Sequence, residues 1–168
     1  MGPAGHRGVI GGAFFLSEAF LKGVGMSACV FCDIVAGSGS ARIVYEDEWT
    51  VAFLPLYPAA VGHTLLVPRA HVRDLWDLGA ADAHCLTTAL LHLAPALRRA
   101  LAPDGLNVVN SAGAAATQTV FHLHVHLVPR WHGDAFGPLW PVRSERPVQQ
   151  AERVAELIRA EVAGTAYG

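Results

Sequence analysis

Apolar and polar residues follow two rhythms along this chain. Ile43-Val44-Tyr45 and Thr50–Leu54 are short β-prone runs on either side of Glu46-Asp47-Glu48, the pattern of a hairpin. Pro55 and Pro58 then force an irregular loop, because neither has a backbone donor, and His63–Val67 reads as a third strand ended by Pro68. From Ala80 to Leu101 the rhythm changes: apolar residues at 86, 89, 90, 93 and 97 recur at the spacing of one helix face. Pro95 is expected to kink or split that helix. Leu106–Asn110 and Val120–Val128 predict two more strands, Val148–Val162 a second amphipathic helix, and Val30–Ala36 a short helix stopped by Gly37-Ser38-Gly39-Ser40. Strands outnumber helices and do not alternate with them. The expected class is α+β, an antiparallel sheet with one long helix and one C-terminal helix.

Composition narrows the classes of function. With 168 residues, 52% of them hydrophobic and 15% charged, the chain is long and apolar enough to hold a core without disulfides or metal, and disorder is excluded. A formal charge of −2 argues against a nucleic-acid partner. No apolar run reaches the roughly 18–20 residues of a membrane span. Three cysteines cannot all pair, and a reduced, cytoplasmic setting is the simpler expectation. Residues 1–26 differ from the rest, being rich in glycine up to Gly12 and apolar but broken by Glu18 thereafter. Glu18 and Lys22 before Cys29 make a poor secretory signal. A flexible extension is expected over 1–26 and a single domain over 27–168.

The unusual number is nine histidines. Phe121-His122-Leu123-His124-Val125-His126-Leu127-Val128 alternates apolar residue and histidine. On a strand, period two puts the three imidazoles on one face and Phe121, Leu123, Val125 and Leu127 on the other. Burying the apolar row serves the fold, but lining up imidazoles does not. Such a row suits metal binding or phosphate chemistry, in which one imidazole attacks phosphorus while its neighbours donate to the oxygens. The outer pair would stand about 13 Å apart on a flat strand, too far to converge on one ion.

The surroundings favour phosphate chemistry. Gln118-Thr119-Val120 precedes the histidines, Pro129-Arg130 follows them, and Gly62-His63-Thr64-Leu65-Leu66-Val67-Pro68 with His71, Asn110 and Val44-Tyr45-Glu46-Asp47-Glu48 stand upstream. In this order and spacing, over roughly residues 29–137, the chain resembles the histidine triad (HIT) family of nucleotide hydrolases and transferases. The resemblance implies a HIT-like fold and a homodimer. It implies His124 as the nucleophile forming a covalent nucleotidyl-imidazole, its second nitrogen held by a fixed acceptor such as a backbone carbonyl. His126 and His63 would contact phosphate, Asn110 the phosphate or ribose, and Gln118 and Thr119 the leaving group.

Two positions depart from the family pattern. Pro55 stands where an Asp or Asn commonly grips the ribose hydroxyls, and Thr117 where a glycine usually precedes the glutamine.

Cys29-Val30-Phe31-Cys32 has a spacing that fits zinc or a redox dithiol, or two reduced thiols packed in the core. Redox use normally accompanies a βαβ pattern, which is missing here. Some HIT-like proteins and galactose-phosphate uridylyltransferases hold zinc at matching positions, which here are Cys29, Cys32, His71 and His122. Two thiolates and two imidazoles would close a structural site with no open position. Cys85 is expected to be core, and His84 and His92 helix surface.

The leading expectation is therefore hydrolysis or transfer at the α-phosphorus of a nucleotide conjugate, phosphoramidate or dinucleoside polyphosphate, with no catalytic metal required. A non-catalytic nucleotide-binding protein is the alternative, for which Pro55 is the best argument. A redox protein would need a working Cys29–Cys32 disulfide.

Overall fold

The computed structural model describes residues 29–137 and 148–164. The expected extension over 1–26 lies outside the described residues. The chain divides into two compact units, Met1–Gly133 and Asp134–Gly168.

The first unit is built on an antiparallel sheet of five strands in the order β1-β2-β3-β5-β4. These are β1 (Arg42–Glu46), β2 (Thr50–Leu54), β3 (Thr64–Pro68), β4 (Gly105–Asn110) and β5 (Val125–Arg130). The β1–β2 hairpin turns on Asp47, whose Oδ1 accepts the backbone N–H groups of Trp49 and Thr50 at 2.8 and 2.6 Å. The Asp47 side chain thus braces the turn alongside the backbone bond from Asp47 N–H to the Thr50 carbonyl at 3.0 Å. Every residue of β3 is buried, whereas β1 and β4 lie at the edges and are largely exposed or half-buried. Gly62, just ahead of β3, has φ +73, and a Cβ there would collide with Leu101. Only glycine leads the chain into His63 by this path.

The central strands bury both faces. Ala52, Leu66 and Leu127 pack with Leu86, Ala89 and Leu93 of helix α2 (Ala80–Leu101). Val51, Phe53, Leu65 and Val67 face the other way and pack with Phe31 of the short helix α1 (Val30–Val35). The α+β class is as expected, and so are the buried positions 86, 89 and 93. Pro95 does not split the helix, which is continuous through it. Pro95 and Leu91 are exposed, so the Leu91 carbonyl that loses its amide partner is open to water. Cys85 is half-buried. In the second unit, helix α3 spans Val148–Gly164 and carries an Arg159–Glu152 ion pair at 3.4 Å.

The fifth strand corrects the sequence expectation. It starts at Val125, not Val120, so of the three alternating histidines only His126 is in the ladder. The strand it would need opposite it, β4, ends at Asn110 across from Val125. Beyond that point side chains take the backbone carbonyls: His124 Nδ1 donates to the His122 carbonyl at 2.7 Å, and Asn110 Nδ2 to the His124 carbonyl at 2.8 Å. The apolar half of the alternation survives without a ladder, since Leu123, Val125 and Leu127 all pack in the core under α2. Phe121 is the exception, lying against the Arg73 guanidinium at 4.3 Å.

Candidate functional site

The three histidines divide between two clusters: the His122 ring meets His71 and the two cysteines, whereas those of His124 and His126 meet each other and His63. His124 and His126 meet edge to face with ring centroids 4.9 Å apart, and His126 and His63 stand 5.1 Å apart. Phe31 touches both clusters edge-on, at 6.0 Å from His122 and 5.3 Å from His124. Its role was invisible in the sequence, where it is merely one of the two residues between the cysteines.

Hydrogen bonds order the protons in the second cluster. The Ala59 backbone N–H donates to His63 Nδ1 at 3.0 Å, which makes that nitrogen the acceptor. His63 Nε2 then carries the proton and donates to His126 Nδ1 at 2.9 Å. His126 is left with its proton on Nε2. His124 is arranged the opposite way: its Nδ1–H is tied to the His122 carbonyl, so Nε2 keeps a lone pair. One imidazole therefore presents a nucleophilic nitrogen, and its neighbour presents an N–H.

Charge is kept off these rings. Burial, with His124 and then His63 adding to it, pushes His126 down to about 4. Burial, followed by the field of His124, lowers His63, and burial lowers His124 against the opposing pull of the His122 carbonyl. Neutral imidazole, the form able to attack, is the resting form at neutral pH.

The other cluster gathers Cys29, Cys32, His71 and His122, whose donor atoms all lie within 4.8 Å of one another. Cys32 Sγ is 3.2 Å from His71 Nδ1, and both sulfurs are 3.5 Å from His122 Nδ1. The edges of a zinc tetrahedron with bonds of about 2.0–2.3 Å are roughly 3.3–3.8 Å, close to these three separations. His122 Nε2 donates to the Pro68 carbonyl at 2.9 Å, which turns the Nδ1 lone pair toward the thiols and fixes the ring.

Residues 37–133 match the HIT domain family. The chain belongs to the HIT family. Among curated relatives, the Protein hit of Bacillus subtilis is 38% identical over 118 residues, which cover 70% of this chain and 81% of that protein. Among solved structures, SMU.412c of Streptococcus mutans shares 40% identity with a TM-score of 0.76 over 84% of this chain and 89% of that one. A zinc-bound histidine triad protein of Mycobacterium smegmatis shares 36% identity with a TM-score of 0.62, over 81% of this chain and 97% of that one.

Within the HIT domain, other residues singled out in the sequence stand as follows. Gln118 is buried, and its side chain is fully engaged: Oε1 accepts the Gly113 N–H at 2.7 Å, and Nε2 donates to the Arg73 and Val120 carbonyls at 2.9 and 3.1 Å. These bonds brace the loop that leads into the histidines. Thr119 is exposed beside Val120. Asn110 has one N–H on the His124 carbonyl, and its buried Oδ1 has no partner among the described residues. It therefore offers an acceptor as well as the expected amide donor.

The two departures are also placed. Thr117 adopts φ +69, a left-handed conformation that a β-branched residue rarely takes, which accounts for the glycine usual in the family. Pro55 lines a cavity of about 840 Å³ together with Phe31, Phe53, Leu65 and Thr119, so this cavity reaches Phe31 at the edge of His124.

Proposed function

We propose that this HIT protein is a nucleotide hydrolase or nucleotidyl transferase that acts at the α-phosphorus through a covalent nucleotidyl-His124 intermediate. The observation that carries the reading is the opposed proton order of two touching imidazoles, a free Nε2 on His124 beside an N–H on His126. In the first step the His124 Nε2 lone pair forms the phosphorus–nitrogen bond. The bond to the leaving group breaks, and the leaving group departs with its electron pair and takes up a proton. The positive charge that develops on the His124 ring is stabilised by the His122 carbonyl already bonded to Nδ1–H. His126 Nε2–H donates to the phosphoryl oxygens, and His63 holds His126 in that tautomer. Water, or an acceptor hydroxyl in a transferase, then attacks phosphorus, breaks the phosphorus–nitrogen bond and releases a proton, restoring neutral His124. Asn110 would offer its amide to the phosphate or ribose, and Gln118 and Thr119 would meet the leaving group.

Zinc belongs to the same proposal in a structural role. Cys29, Cys32, His71 and His122 would hold it in a closed tetrahedron, and bound there it would lend folding free energy and rigidity. Its reduced thiolates fit the cytoplasm, and the homodimer implied by the resemblance is part of the same reading.

A non-catalytic nucleotide-binding protein is the second reading, favoured by Pro55, which has no side-chain acceptor for a ribose hydroxyl. Rapid-quench mass spectrometry on wild-type protein mixed with adenosine and guanosine phosphoramidates and dinucleoside polyphosphates tests the two. A nucleotidyl group on His124 that forms and decays with product supports the enzyme. Turnover without that adduct would overturn the mechanism, and tight binding with neither turnover nor adduct would favour the second reading.

A further inference from the structure

The cavity of about 840 Å³ that reaches Phe31 and a second of about 540 Å³ that contains His63 share four lining residues: Arg42, Leu54, Pro55 and Leu56. A substrate with its phosphorus at the imidazoles and a flat apolar group in the larger cavity would lay its middle portion along that shared wall. For a nucleotide the middle portion is the sugar.

The wall is chemically one-sided. Leu54 and Leu56 bring no polar side chain, and Pro55 has neither a side-chain acceptor nor a backbone donor. Among the described residues, Arg42 is the only permanently charged one lining either cavity, and no carboxylate lines them. Its side chain is exposed on edge strand β1, opposite Leu54 in the ladder, and among the described residues it has no hydrogen-bonding or ion-pair partner. The neighbouring Arg69, by contrast, is tied to Glu46 and to the Asp47 carbonyl at 2.8 Å each.

A guanidinium has five donors and no acceptor, arranged as a fork that matches phosphate oxygens. A sugar hydroxyl, which has a proton to give, would find no side-chain acceptor on this wall. A phosphorylated hydroxyl has only acceptors and negative charge. We propose that the wall formed by Arg42 and Pro55 is a second anion subsite, and that the preferred ligands are nucleotides carrying an additional phosphate on the sugar, at the 2′ or 3′ position, gripped by Arg42. The inference rests on the nucleotide reading above and deepens it, making Arg42 a specificity-determining residue.

Calorimetric titration of the full chain with AMP, adenosine 2′,5′-bisphosphate and adenosine 3′,5′-bisphosphate, at one fixed ionic strength, tests the proposal. One bisphosphate should bind about tenfold or more tightly than AMP, the range of a hydrogen-bonded pair between charged groups. Which of the two gains identifies the position. The ratio should fall to near one in Arg42→Gln, which keeps most of the side-chain length without the charge, and below one in Arg42→Glu. Melting curves should be nearly superimposable, because the side chain makes no bond in the fold, and Arg42→Lys should retain part of the preference. Wild-type protein that binds AMP as tightly as both bisphosphates would overturn the subsite and leave the nucleotide reading standing. A preference that survives Arg42→Glu would do the same. Binding of none of the three would remove both.

Discussion

His122 and His124 are two residues apart, and each serves a different kind of cluster. Around His122 four donor atoms converge on one another, two of them sulfur, and the ring is fixed from behind by the Pro68 carbonyl. Around His124 the nitrogens are strung in sequence, Ala59 to His63 to His126, and one nitrogen is left open. Convergence is what a cation requires, since it satisfies every lone pair at once. Serial order is what proton and phosphoryl chemistry requires, since each nitrogen must be either donor or acceptor and only one must attack. The two clusters also share parts. The His122 ring belongs to the first and its carbonyl orients the His124 ring of the second, while Phe31 packs edge to face with both imidazoles.

The comparison breaks most sharply at His124. His124→Asn fills similar space but cannot attack phosphorus, so steady-state turnover should fall by more than about 10⁴, beyond the 10²–10⁴ typical of one acid–base group. The metal content of the variant, measured by emission spectroscopy, should stay at that of the wild type, because no metal donor has been touched. Turnover within tenfold of wild type would remove His124 from the nucleophile's role.

Breaking the other cluster should have the reverse signature. Cys29→Ser combined with Cys32→Ser should abolish zinc binding. It should also lower the melting temperature by about 10 °C, since metal at a thousand times its dissociation constant contributes roughly 4 kcal/mol. Activity should decline as well, because the His122 carbonyl loses its anchor, but by less than in His124→Asn. Protein that contains no zinc as purified, with a melting temperature the double substitution leaves unchanged, would show that the four donors merely pack together.

A subtler contrast lies in acid. His126 has a folded value of about 4 against an ordinary 6.5, so the unfolded chain binds more protons between those values. Stability from this group is therefore complete above pH 6.5 and is lost as the pH falls toward 4. His126→Asn, whose side-chain oxygen can still accept from His63, should flatten the decline in melting temperature over that window. An unaltered slope would place the acid sensitivity elsewhere.

The smallest expected effect is at Thr117, on the loop braced by Gln118. Thr117→Gly relieves a left-handed conformation and should raise stability by about 1 kcal/mol, read as a shift in the chemical-denaturation midpoint. A lower midpoint would mean that the threonine side chain supports the loop instead of straining it.

Much of this was legible in the chain itself. The strand and helix rhythms yielded the α+β class, and the period-two alternation identified Leu123, Val125 and Leu127 as core because apolar burial depends only on which way each residue faces. The histidine motif, with the residues around it, was enough to identify the family. What residue order alone left open was where the ladder stops. The end of β4 at Asn110, a fact about a different strand, released the His122 and His124 carbonyls to side chains, and residues far from the histidines in sequence divided them between two clusters. The bonds of Gln118 lie beyond local pattern for the same kind of reason: its partners, Gly113, Arg73 and Val120, include one 45 residues away, and a buried amide goes to whichever backbone groups the fold leaves unpaired. The Ala59 N–H that sets the proton order has no side-chain signal at all. Local pattern determines what a residue offers, burial or donor or lone pair, whereas the tertiary structure decides which offer meets a partner, because hydrogen bonds and metal bonds act over about 3 Å between segments far apart in the chain.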